Sequence, residues 1–287
     1  MLIPKSLLRL ALRPYLANLL LDIKRDEQKF IKKYKARIVA KGFRQLAGRD
    51  YDDVFAPTAQ HVTLRVLLAV ASSLHLEVDQ LDVKTAFHNG DLSEEIYIKL
   101  PPELGSKVWR LYKALHGLKQ AARAWFAKLR NSMLEHGLTP SKHEPCLFFR
   151  GTTQDKVYVM VHVDDSLIVG ARAAVDAAKA DMAAMFEVKD LGSAKHFLGL
   201  AISRRTDGGY SVTQPSYVEN LMLSFGMSKC KPTATPMVAG LKLSKDSGTQ
   251  FPPDNMYSAL VGSLLYSHSS RHLSCGGDSQ PLHGLPY

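Results

Sequence analysis

The most β-branched stretch of the chain, Lys156 to Val169, is interrupted in its middle by Asp164-Asp165-Ser166. Aspartate is a poor strand residue and adjacent carboxylates repel, so apolar strands on either side of such a pair predict a hairpin with a tight acidic tip. Two readings follow. The pair is an ordinary acidic turn, or a bound divalent cation relieves its like-charge conflict. Asp82, near the end of the strand-like run Glu77 to Val83, offers a third carboxylate. Three oxygen donors on rigid strands suit Mg²⁺, whose remaining positions substrate phosphates and water would fill.

The rest of the chain alternates helix-like with strand-like segments and shows no internal repeat. Tyr34 to Ala40 has the alternation of a half-exposed strand that turns Lys35 and Arg37 to one side. Leu64, Leu67, Leu68, Ala71 and Leu74 have the spacing of a buried helix face, with Thr63 as its cap. Asn89-Gly90 marks a turn before the alternating Glu95 to Leu100, and Pro101 and Pro102 stop the pairing. An amphipathic helix runs from Leu118 to Leu134, ended by Gly137, and an Ala-rich helix follows Gly170. Phe197 to Ser203 and Tyr210 to Thr213 flank Asp207-Gly208-Gly209 as a second hairpin, and Pro215 opens a helix through Phe225. A polar linker runs from Ser228 to about Asp254. This order predicts α+β or α/β packing, with an α+β fold built on one antiparallel core sheet as the preferred reading.

With 46% hydrophobic residues in 287, the chain has enough apolar content for a large core and is expected to be ordered. Its net charge of +10 favours a polyanionic partner. Ten of the basic residues fall between Lys24 and Arg49 against only Asp26 and Glu27, so this segment is either a nucleic-acid contact or a solvated charged face. Cys146, Cys230 and Cys275 are odd in number and far apart, which fits a reducing compartment rather than a disulfide framework. The Leu-rich stretch Leu7 to Leu21 is broken by Arg9, Arg13 and Pro14, so neither a membrane span nor a secretory signal is expected; its lack of acids before Asp22 resembles a transit peptide.

Several segments, in order, resemble one family. They are Tyr34–Phe43 (YKARIVAKGF), Gly48–Tyr51 (GRDY), Phe55–Thr58 (FAPT), Gln80–Phe87 (QLDVKTAF), Leu115–Trp125 (LHGLKQAARAW), Val163-Asp164-Asp165, Lys189–Gly192 (KDLG) and His196–Leu200 (HFLGL). Together they resemble the reverse transcriptase domain of copia-type LTR retrotransposon polyproteins. The resemblance implies the fingers and palm of a right-hand polymerase at residues 24–226, an antiparallel palm sheet packed on helices, and RNA-directed DNA synthesis by two-metal nucleotidyl transfer. Residues 1–23 stay unassigned, 227–256 read as a linker, and 257–287 as a truncated connection start with an aberrant tail.

By this resemblance Asp82, Asp164 and Asp165 are the catalytic carboxylates. With the backbone carbonyl of Val83 they would hold two Mg²⁺ ions, Mn²⁺ being the alternative. Lys35, Arg37, Val83, Phe87 and Gln120 would meet the incoming dNTP, Phe87 against its sugar or, on the other reading, as simple core. Lys41, Arg123, His162 and the Phe197-Leu198-Gly199 segment would meet primer and template. Trp125 reads as core. The implied partners are an RNA or DNA template with its primer, dNTPs and the rest of a polyprotein, including ribonuclease H and integrase; no membrane is expected. The implied location is cytoplasmic, in a virus-like particle, or nuclear.

The departures from the family pattern matter too. His162 stands where the family has tyrosine, which predicts impaired polymerisation. Residues 1–22 and the segment after Arg271 do not resemble the family, which reads as a fragment, a decayed copy with a tail from another frame. The alternative function is therefore a catalytically dead, nucleic-acid-binding remnant. A nuclease lacks the extra acids it would need. Asp246-Ser247-Gly248 resembles an aspartic-protease triplet without apolar flanks, and His268, His272 and Cys275 lack a fourth zinc ligand; both patterns are set aside.

Overall fold

The computed structural model describes residues 14–25, 30–152, 155–231, 240 and 256–269. The chain divides into two compact units, Met1–Gln60 with Asp79–Gly192, and His61–Val78 with Ser193–Tyr287. The elements in order are β1 (Tyr15–Arg25), β2 (Ile31–Ala40), α1 (His61–Ser73), β3 (Glu77–Val83), α2 (Ala86–Asn89), β4 (Asp91–Lys99), β5 (Val108–Lys113), α3 (Ala121–Glu135), β6 (Thr139–Pro140), β7 (Leu147–Arg150), β8 (Val157–His162), β9 (Asp165–Gly170), α4 (Arg172–Met185), β10 (Val188–Ser193), β11 (His196–Phe197), β12 (Leu200–Arg204), β13 (Tyr210–Thr213), α5 (Pro215–Ser224) and α6 (Met256–Ser269).

The fold is α+β with mostly antiparallel sheets, as the alternation of periods predicts. Among the described residues the strands form three sheets instead of one, in the orders β2-β1-β4-β5, β10-β3-β9-β8-β7-β6 and β11-β12-β13. Beyond the Leu-rich residues 7–13, which lie outside the described set, Tyr15–Arg25 is a strand paired antiparallel with β2. No helix among the described residues is long and apolar enough to cross a membrane.

In the first unit, period-two alternation sorts the central sheet into two faces. Leu81 and Val83 of β3, Val157, Val159 and Val161 of β8 and Ile168 of β9 meet Trp125, Leu129 and Met133 of α3 and Val175, Ala178 and Met182 of α4 in one core. Asp79 lies on this covered side at 3% exposure. It accepts from Arg172 Nη2 at 2.8 Å and from Lys179, whose ammonium also reaches Asp190 at 2.9 Å. Burial alone raises the Asp79 carboxyl, but hydrogen bonds from Arg172 and Lys179 outweigh it and hold it below the ordinary carboxylate range. A lowered carboxyl contributes stability at neutral pH that is lost as pH falls below about 4. Asp79→Ala is expected to destabilise the chain by about 2–3 kcal/mol, discounted because Arg172 is half exposed. Urea denaturation at pH 7 checks this, and a loss of only a few tenths would show that the cluster contributes nothing.

The second unit carries α1 and the three-stranded sheet. Tyr210 joins them, its N–H donating to Ser72 Oγ and its hydroxyl to the Leu76 carbonyl, both at 3.0 Å. Here the helix differs from expectation at both ends. It begins at His61, so Thr63 is inside the first turn, and Leu74 is past its last residue and 62% exposed. Phe197 to Ser203 is likewise not continuous, because Leu198 and Gly199 adopt φ of 52° and 76° and turn the chain between β11 and β12. Most of the polar linker lies outside the described residues, as do Asp246-Ser247-Gly248, His272, Cys275 and the side chain of His268.

Candidate active site

The acidic hairpin forms where the sequence predicts it, with its tip one residue earlier. His162 pairs with Asp165, leaving Val163 and Asp164 as the turn. On the register of β8 and β9, His162 and Asp165 project to the side opposite the helix-covered core. Gln80 and Asp82 of β3 have the same parity, and Gln80 Nε2 donates to Asp165 Oδ1 at 3.2 Å. The Val83 N–H donates to the Asp164 carbonyl at 2.7 Å, so the strand end bearing Asp82 and the hairpin tip are in direct backbone contact.

Burial pushes the Asp165 carboxyl up; Gln80 opposes the rise, while the Asp164 and Asp82 charges add to it and His162 reduces it. Asp82 and Asp165 thus share one side of the sheet, and the charges of Asp82 and of Asp164 at the turn both act on Asp165. Hard oxygen donors of this kind suit Mg²⁺ or Mn²⁺. Among the described residues, however, no three His, Cys, Asp or Glu side chains stand at metal-ligating spacing. The backbone brings the acids together; their oxygens are not gathered around a common point.

The tip is strained. Val163 is β-branched yet sits at φ 57°, the left-handed region. Its carbonyl accepts from Trp125 Nε1 at 2.7 Å. Trp125 is core at 2% exposure, as its place on the apolar face of α3 predicts, and it also reaches the hairpin.

Lys35 and Arg37 lie two residues apart on β2, both half-buried, and share a side as expected. His116 feels the charges of both groups, those of Arg37 and Lys35 on one hand and of Asp164 on the other. Its ring lies edge-on to Phe87 at 4.9 Å and to His88 at 5.6 Å. Burial lowers the His116 imidazole, the charges of His88, Arg37 and Lys35 add to this, and Asp164 opposes it. Phe87 serves the core on one side, touching both apolar clusters of this unit. Lys41 is half-buried and its N–H donates to the Leu16 carbonyl at 2.8 Å.

Gln120 is 3% exposed and spent on the protein. Its Nε2 donates to the Asp50 carbonyl at 3.0 Å and to Glu94 Oε1 at 3.1 Å, while its Oε1 accepts from Gln45 at 3.0 Å. Arg123 is half exposed and pairs with Asp53. His162 is half-buried with its Nδ1 lacking a hydrogen-bond partner. Phe197, buried, and Leu198 and Gly199 belong to the second unit.

Sequence reasoning passed over two residues of this region. Gln80 precedes Asp82 by two positions, so period-two alternation alone puts it on the same side of the sheet. His116 sits inside a quoted motif, but nothing in its spacing places it beside Phe87 and Arg37.

Fold and site together define an α+β protein with an acidic hairpin set against the end of a strand that bears a further carboxylate, and with a separate strand that carries Lys35 and Arg37. Residues 12–239 match the family profile described as reverse transcriptase (RNA-dependent DNA polymerase), and the chain belongs to that family. It is 39% identical over 269 residues to the retrovirus-related Pol polyprotein from transposon TNT 1-94 of Nicotiana tabacum, covering 89% of this chain and 20% of that protein. It is 37% identical over 242 residues to the corresponding polyprotein from transposon RE2 of Arabidopsis thaliana, covering 82% of this chain and 17% of that one. The RE1 polyprotein of the same plant is 38% identical over 242 residues, 82% of this chain and 16% of the relative. The chain thus spans about a fifth or less of the length of these relatives.

Proposed function

We propose that residues 24–226 are the fingers and palm of an RNA-directed DNA polymerase that joins a dNTP to a primer 3′-hydroxyl on an RNA or DNA template. The observation that carries this reading is the Val83–Asp164 backbone contact, which sets Asp82 beside the acidic hairpin. Asp82, Asp164, Asp165 and the Val83 carbonyl would hold two Mg²⁺ ions, or Mn²⁺. When bound, these ions supply charge neutralisation for the attacking and leaving oxygens of an in-line phosphoryl transfer. In that transfer the primer oxygen bonds to the α-phosphorus as the bond to pyrophosphate breaks.

The chain's own residues do the rest. Arg37 offers a planar bidentate donor and Lys35 a mobile point charge to the triphosphate. His116, whose imidazole is lowered by burial and by its cationic neighbours, adds a polar ring edge beside Phe87. Phe87 presents an aromatic face where a sugar would lie. Lys41 and the hairpin residue His162 face primer and template in this reading. The remainder of the polyprotein would supply ribonuclease H and integrase.

Primer extension by the purified chain on an RNA template, with Mg²⁺ or Mn²⁺, tests the proposal. Template-dependent extension is the expected result. Binding that weakens steeply with salt, with no extension by either ion, would instead establish a nucleic-acid-binding remnant. A second expectation concerns His162, whose ring leaves one buried nitrogen without a partner. His162→Tyr is expected to raise the extension rate several-fold, and an unchanged rate would show that this position does not limit polymerisation.

A further inference from the structure

We propose that Trp125 is a positioning residue for the acidic hairpin, a hydrogen-bonded clamp that fixes the tip bearing Asp164 and Asp165; this rests on reading those acids as polymerase carboxylates. The argument begins with Val163. A β-branched residue is disfavoured at φ 57°, and such a conformation persists only where its surroundings hold it. Apolar burial does not, since Val163 is 37% exposed.

What holds the turn is a pair of hydrogen bonds to its two consecutive carbonyls. Trp125 Nε1 reaches the Val163 oxygen from α3, and the Val83 N–H reaches the Asp164 oxygen from β3, both at 2.7 Å. Each bond comes from a different element, so together they set the direction of the turn as well as its place. The second also joins the tip to the strand end that carries Asp82. A backbone fixed in this way leaves only side-chain rotation to bring the carboxylates into place, so less reorganisation is needed when charge develops.

The clamp is itself packed in the core. Trp125 lies edge-on to Phe186 with ring centroids 5.0 Å apart and planes at 73°. The backbone of α3 is seated against Gly90, where an added Cβ would come within 2.6 Å of the Trp125 nitrogen. A phenylalanine at 125 would fill most of this core space, yet it would release the Val163 carbonyl. Packing and positioning are therefore separable by one substitution.

The full chain carrying Trp125→Phe is compared with Leu129→Ala, a core truncation in the same helix. Trp125→Phe is expected to lower the extension rate roughly 10- to 100-fold. It should also raise the Mg²⁺ concentration for half-maximal rate and speed hydrogen exchange of the amides from Asp164 to Ser166. Leu129→Ala should lower thermal stability while leaving the Mg²⁺ requirement and tip exchange at parent values. A Trp125→Phe protein with parent tip exchange and parent Mg²⁺ dependence would overturn the clamp.

A second measurement avoids any folding defect in that variant. Trp109 and Trp125 are the only tryptophans, so Trp109→Phe leaves Trp125 as the sole indole emitter. Its emission is expected to be quenched over the Mn²⁺ range that supports extension, and constant emission across that range would count against the proposal. Asp164→Asn separates the two levels of the argument. If that variant extends primers normally, the polymerase reading fails, while tip exchange in Trp125→Phe still decides whether the indole holds the hairpin.

Discussion

Asp164→Asn is expected to reduce primer extension on the order of 10³-fold while leaving the chain as stable as before, or slightly more so. The amide keeps the shape of the carboxylate and removes its charge. Asp164 is exposed at the tip, so its own burial contributes little to folding. Its charge raises the neighbouring Asp165 carboxyl, on which burial already acts in the same direction. Removing that charge relieves a like-charge conflict in the cation-free protein, and the backbone bond from Val83 to the Asp164 carbonyl is untouched. Loss of activity with no loss of stability is the signature of a site residue that works against the fold. Extension rates and thermal midpoints measured on the same preparations check both halves. Parent-level extension would remove Asp164 from the chemistry, and a large fall in midpoint would make the lost activity a folding defect.

The same residues show how far a linear reading reaches. Glu77–Val83 is a strand with the bounds its sequence suggests, and the acidic hairpin closes one residue from the expected tip. Both were legible because alternation and turn chemistry are local. Lys35 and Arg37 share a side for the same reason. Gln120 was not legible, because its three hydrogen bonds go to residues 26, 70 and 75 positions away. A glutamine suited to a nucleotide and one locked in a scaffold look alike in sequence. Trp125 shows the same limit, since its helical spacing marks it as core but the partner of its indole N–H is 38 residues distant. The strands β5, β7 and β10 were missed because each is short and gains its pairing from neighbours in the sheet.

A second large effect is expected at Gly117, where long-range packing acts on the backbone itself. Gly117 has φ 91°, and a Cβ there would fall 2.1 Å from the Ala40 carbonyl and 2.7 Å from Val39 Cγ1. Gly42 mirrors it, its absent Cβ lying 1.9 Å from the Gly117 carbonyl. Between them the Ala40 N–H donates to the His116 carbonyl at 2.8 Å. The end of the basic strand and the turn before α3 therefore meet backbone to backbone, and a yielding Val39 side chain would not relieve the overlap with the Ala40 carbonyl. Gly117→Ala is expected to destabilise the chain by about 3–4 kcal/mol, the left-handed backbone and the overlap adding together. Gly137, at φ 76° with nothing within 4 Å of its missing Cβ, isolates the first contribution. Gly137→Ala should destabilise by only about 1–2 kcal/mol. Denaturant midpoints of the two variants decide the matter: equal losses would mean that the close approach of strand and turn carries no energy. If the losses differ as expected, the close seating of the end of the basic strand on the turn that carries His116 depends on two glycines, whose missing side chains let the backbones meet.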